Sequence, residues 1–169
     1  MEVNKLRGIL MANAKKAKAC EPGLIELGTA GTKEEIARCF MEYIDFCLVN
    51  NYPDNTFLKL NFERELEAIG IYIDCQLTLE KGKKMVFLGD CRSTVEMGDY
   101  SVCMIRAKHQ SKINIKASGH ARIMVDALDD TAITVEATEK ATVIVNLYAR
   151  ATSSGATKTI RKNMETYEL

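Results

Sequence analysis

Between about Ser93 and Ala149 apolar and polar residues alternate in blocks of ten, with blocks opening at Ser101, Ser111, Ala121, Thr131 and Ala141. Each block starts on a small residue, alternates, reaches Ala or Leu at its seventh place and then turns. The odd places hold Ser111, Ile113, Ile115 and Ala117, then Ala121, Ile123, Val125 and Ala127. The even places hold Lys112, Asn114 and Lys116, then Arg122, Met124 and Asp126. A period of two means a strand with one buried and one solvated face. Val and Ile suit that surface because their χ1 is already restricted. Small residues at both ends of each strand, with branched ones between, predict a thin, lens-shaped core.

Two architectures fit such a repeat. One is an antiparallel β-meander or sandwich with a hairpin at every block. The other is a parallel β-solenoid, or β-helix, with about two blocks per coil. The turns fall at residues 108–110, 118–120, 128–130 and 138–140. Tight hairpins need positive φ and favour Asn-Gly, Asp-Gly or Gly-X; at these turns only Gly119 offers that. A meander sets Arg106 near Lys112 and Lys116 near Arg122, which are like charges. A two-block coil stacks Arg106 on Asp126 and Lys116 on Glu136, which are opposite. Each pair is worth only about 0.2–1 kcal/mol. The charges therefore favour the solenoid, while the meander and a three-block coil stay open.

The pattern changes before the repeat. Residues 3–19 read as a helix, with Leu6 and Leu10 on one face and Lys15, Lys16 and Lys18 at its end, where cations are favourable. Pro22-Gly23 breaks it, and residues 28–31 read as a loop. Thr32 and Glu35 form a capping box for a helix that runs to Asn50-Asn51 and buries Ile36, Phe40, Tyr43, Ile44 and Cys47. A shorter helix from Asp54 or Asn55 carries Leu58, Phe62, Leu66 and Ile69 until Gly70 stops it. Residues 71–74, 77–80 and 85–88 read as short strands of a first irregular coil, and 94–100 as a shortened block around Val95 and Met97. Past Ala151 the rhythm fails. Ser153-Ser154-Gly155 reads as a flexible joint, 157–160 as one more strand, and 161–169 as a frayed tail. The expectation is an α+β chain: a helical cap over residues 1–70, a solenoid over 71–160 and a tail over 161–169. Its helices would cover one open end of the solenoid.

Formal net charge is zero, with 23 Lys and Arg against 23 Asp and Glu. That disfavours a nucleic-acid binder relying on bulk electrostatics and leaves self-association little opposed. Three consecutive helices raise the possibility of a DNA-binding regulator of helix-turn-helix type. The third, however, carries Glu63, Glu65 and Glu67 against Lys59 and Arg64, and carboxylates repel phosphates. The six cysteines lack zinc spacing and read as buried thiols of a reducing, cytoplasmic setting. No leader pattern or membrane-spanning run appears in the sequence.

Candidate chemistry is sparse. His109 and His120 fall at turns on opposite edges of a two-block coil and read as solvated. Asp126, Asp129 and Asp130 cluster once, without the repeated Gly and Asp of calcium-binding rolls. No phosphate loop, dinucleotide fingerprint or nucleophile elbow occurs. The sequence predicts no enzyme, metal or cofactor. Two surfaces remain as candidates. Val102, Met104, Met124 and Ile144 would line one exterior face, an apolar stripe suited to an interface with the N-terminal helices or another copy of the chain. Arg106, Lys112, Lys116 and Arg122 would serve a small anionic ligand if they converge.

The helical run of residues 32–51 ending in Tyr52-Pro53, the strand Gly70-Ile71-Tyr72-Ile73-Asp74 and the repeats through Tyr148 resemble uncharacterised proteins of bacteriophages and prophages of gut bacteria. The resemblance covers most of the chain and is one of pattern. It implies a phage setting, the host cytoplasm as location and a non-enzymatic role, and it brings no site residue. The expected function is a homo-oligomeric binding or assembly module. The alternatives are sequestration of an anionic host nucleotide signal and a DNA-binding regulator.

Overall fold

The alternating blocks coil as a parallel β-solenoid with two strands per turn. In the computed structural model, which describes residues 1–167 apart from the side chain of Glu63, the strands are β1 (Ile71–Ile73), β2 (Thr78–Leu79), β3 (Lys84–Leu88), β4 (Arg92–Met97), β5 (Val102–Ala107), β6 (Lys112–Ala117), β7 (Arg122–Ala127), β8 (Ala132–Ala137), β9 (Thr142–Leu147), β10 (Thr152–Ser154) and β11 (Lys158–Arg161). They form a six-stranded sheet in the order β1-β3-β5-β7-β9-β11 and a five-stranded sheet in the order β10-β8-β6-β4-β2. Every described pairing is parallel, which excludes the meander.

The register repeats every twenty residues through the middle. Met104 lies beside Met124 and Met124 beside Ile144, while Ile115 lies beside Val95 and Val135. Ile105, Val125 and Val145 point inward from one sheet against Val95, Ile115 and Val135 from the other, all of them buried. The stacking of Arg106 on Asp126 and of Lys116 on Glu136 is as the charge argument required. The end coils are shorter. Ile71 pairs with Val86, Thr78 with Thr94, and Lys158 with Ile144.

Two segments depart from expectation. Block 91–100 is full length, because Cys91 and Ser93 are buried at inward places and the Ser93 hydroxyl accepts from Leu77 N at 3.2 Å. A satisfied serine had masqueraded as a break in the apolar pattern. Thr152–Ser154 is a strand rather than a joint, continuing the twenty-residue register on β8.

The turns differ as well. Their ninth-place residues Asp99, His109, Gly119, Asp129, Glu139 and Ala149 all have positive φ, between 47° and 68°. Scarcity of glycine therefore did not signify absence of left-handed turns. The next coil holds them: Asp130 N donates to His109 O at 3.0 Å, and Lys140 N to Gly119 O at 3.0 Å.

Met1–Ile69 and Gly70–Thr166 are separate units. The first contains α1 (Val3–Lys16), α2 (Glu21–Thr29), α3 (Lys33–Glu42), α4 (Ile44–Asn50) and α5 (Asn55–Ala68). Thr32 and Glu35 make the expected capping box, and Asp54 caps α5 by accepting from Phe57 N at 2.9 Å. Pro22 does not break the chain: it sits in the first turn of α2, where a missing N–H costs nothing. The long predicted helix is split at Tyr43 into α3 and α4. Phe40 and Phe62 meet edge to face at 5.3 Å, and both are buried with Leu66. These rings thus find partners in each other, which removes the need for an outside surface to receive them. Of the predicted tail, residues 168 and 169 lie outside the described residues.

Candidate functional site

On the outer side of the six-stranded sheet, fourth-place residues form one column. Lys84 lies beside Met104, Met104 beside Met124, Met124 beside Ile144, and Ile144 beside Lys158. Three aliphatic side chains in file are thus closed at each end by a lysine. The neighbouring column runs Val102, Arg122, Thr142. Period two sends these side chains outward, because Cys103, Ile105, Ile123 and Val125 between them fill the core. Val102 is 67% exposed and Met124 42%, so the apolar face predicted from sequence does stand in solvent on this chain. Met104 and Ile144 are half-buried beside them.

The face is concave. An open groove of about 940 Å³ is lined by Val102, Met104, Met124 and Ile144, with Tyr100 and the residues 80–84 along its side. Tyr100 is 79% exposed and stacks on His120, rings 4.7 Å apart and near-parallel. Lys81, Lys83, Lys84 and Arg122 border the groove, against Glu80. Arg122 is held there, donating to Lys140 O at 2.8 Å and to the Thr142 hydroxyl. The result is an aliphatic floor inside a cationic border.

The four cations predicted for an anionic ligand do not come together. Arg106 and Arg122 lie on β5 and β7 of the six-stranded sheet, whereas Lys112 and Lys116 lie on β6 of the five-stranded sheet. All four occupy even, outward places, and the two sheets face outward on opposite sides. Lys116 is further engaged by Glu96 at 2.9 Å, a bond that holds its ammonium above the usual lysine range. Convergence on one ligand within a chain is therefore ruled out by topology.

The histidines sit at opposite edges, as the two-block coil demands, but His109 is not a free surface group. Its Nδ1 accepts from Gly89 N at 3.1 Å, and its backbone N–H donates to Asp129 Oδ2 at 3.3 Å. Burial pushes its pKa down, opposed by the Asp129 charge. The acidic cluster is dispersed among separate partners. Asp126 accepts from Asn146 Nδ2 at 2.7 Å, and Asp130 accepts from Arg150 at 2.6 and 2.8 Å. Among the described residues no three His, Cys, Asp or Glu side chains are grouped as a metal ion would need. No described helix is long and apolar enough to cross a membrane.

Sequence reasoning missed the lysines that end the column. Lys84 was within reach of the twenty-residue period, had the block containing it been counted as part of the repeat. Lys158 was not, because the last coil is shorter. Comparison of the chain with protein-family models, curated proteins and solved structures gives no match in any of the three.

Proposed function

We propose that this chain is a non-enzymatic binding module whose six-stranded outer face receives an acidic, aliphatic segment of a protein partner. The carrying observation is the column Met104, Met124, Ile144 with Lys84 and Lys158 at its ends. Each such side chain contributes roughly 1.5–3 kcal/mol when fully buried, and methionines adapt to irregular surfaces. Cations at the border steer an acidic partner and fix its orientation more than they add affinity. Four steps of about 4.8 Å between strands separate the two lysines by about 19 Å. That matches about 13 residues of helix.

Self-pairing fits less well. A two-fold interface sets the patch on itself. Whether the columns run parallel or antiparallel, lysine then meets lysine at both ends. A nucleic acid would lay phosphates against aliphatic side chains. Capture of a small anion by Arg106, Lys112, Lys116 and Arg122 is disfavoured because they are divided between the two sheets.

The test is selection of displayed random peptides, about 13 residues long, against the full chain. The winners are expected to carry Leu, Ile or Met flanked by Asp or Glu. They should lose at least about tenfold in affinity, or 1.4 kcal/mol, on Met124→Glu, and weaken with rising salt. Neutral or basic winners, or undiminished binding to Met124→Glu, would overturn the reading. Light scattering on the free chain is expected to give the mass of one copy.

A further inference from the structure

We propose that Cys75 and Cys91 form an oxidative modification site, a dithiol that closes to a disulfide between the first two coils. Neither is in a disulfide, and their sulfurs lie 3.1 Å apart. They are neighbours in the stack: Arg92 N donates to Cys75 O at 2.7 Å, and Cys75 N points at Cys91 Sγ at 3.4 Å. Thr78 and Thr94, each three residues further along the chain, are paired in register. Adjacent strands lie about 4.8 Å apart, inside the Cα separation of about 4.4–6.8 Å that disulfides span. Closing the bond asks the sulfurs to approach by about 1 Å and leaves the coil path unchanged.

The two thiols have different parts. Cys91 is fully buried, whereas Cys75 is half-buried. The hydrogen bond with Cys75, and then burial, push the Cys91 thiol up, so it stays protonated in the reduced chain. Cys75 therefore meets the oxidant, a low-molecular-weight disulfide such as glutathione disulfide. Its thiolate attacks one sulfur of that disulfide, forms a mixed disulfide and expels one glutathione thiolate. Cys91, losing its proton as it attacks, then strikes Cys75 Sγ and expels the second. Two protein thiols are oxidised, one glutathione disulfide is reduced, and the two protons end on two glutathione thiols.

The reaction is read by treating the full chain with glutathione disulfide and digesting it with trypsin. The peptides 65–81 and 85–92, which hold Cys75 and Cys91, are expected as a linked pair lacking two hydrogens. Closing this ring, which spans β2 and β3, is expected to raise the melting midpoint of the oxidised chain by about 5 °C over the reduced one. In Cys91→Ser the glutathione adduct should persist on Cys75; in Cys75→Ser neither adduct nor link should form at Cys91. The unsubstituted chain decides the matter without the variants. A lasting Cys75 adduct there, a link from either residue to another cysteine, or modification of exposed Cys20 alone would each overturn the proposal.

Discussion

His109 does two jobs at one turn. It holds a left-handed backbone, φ 68°, and its Nδ1 accepts from Gly89 N of the coil before. That acceptor exists only while Nδ1 carries no proton, and burial already disfavours the charged ring. The folded pKa is therefore below the unfolded value of about 6.5. The stabilisation is complete above that value and is lost as pH falls through the folded pKa. Asn tolerates the left-handed region and offers a comparable acceptor without titrating. His109→Asn is thus expected to match the parent in urea melts near neutrality and to lose less stability on acidification towards pH 5. Equal loss in both chains would remove His109 from the account. Thr131 shows the opposite economy: its hydroxyl is buried with no hydrogen-bond partner among the described residues. Replacing an orphaned hydroxyl by a methyl of the same shape relieves its desolvation, so Thr131→Val should gain about 1 kcal/mol in the same melts.

Strands were legible because their signal is local. Ile113, Ile115, Ile123 and Val125 declare an inward face within one block, and no distant residue is needed to read it. Elements whose form depends on neighbours were not. Pro22 and Gly23 look like a breaker in isolation, yet α2 begins around them. The ninth-place turns look unsuited to positive φ, yet hydrogen bonds with the neighbouring coils fix them. The last coil is the sharpest case. Its shortening is accommodated at Gly155, with φ 74°, where an added Cβ would stand 2.0 Å from Val135 O. Neither the left-handed backbone nor the approach to β8 leaves room for a side chain. Gly155→Ala should cost about 2 kcal/mol or more, with hydrogen exchange rising first in β10 and β11. A neutral substitution would mean that the coil does not close as described.

The outer face was legible in its middle and not at its ends, and the reason is a property of the solenoid as a whole. Met104, Met124 and Ile144 align because twenty residues make one turn there; Lys158 escapes because the final turn is shorter. Each coil touches only its neighbours, so stability is close to a sum of like units and like interfaces. The unit is the pair of blocks, one strand in each sheet. Duplicating residues 121–140 in place adds one strand to each sheet and returns β9 to the six-stranded side. Duplicating residues 121–130 alone would send β9 to the five-stranded side, and the short closing coil after it would meet the wrong strands. The first insertion is expected to stay soluble, keep its far-ultraviolet dichroism and melt within about 5 °C of the parent, since it adds one like unit and one like interface. The second is expected to aggregate or to lose cooperative melting. Equal tolerance of both would contradict a two-strand turn, because only a single block would then be the repeating physical unit.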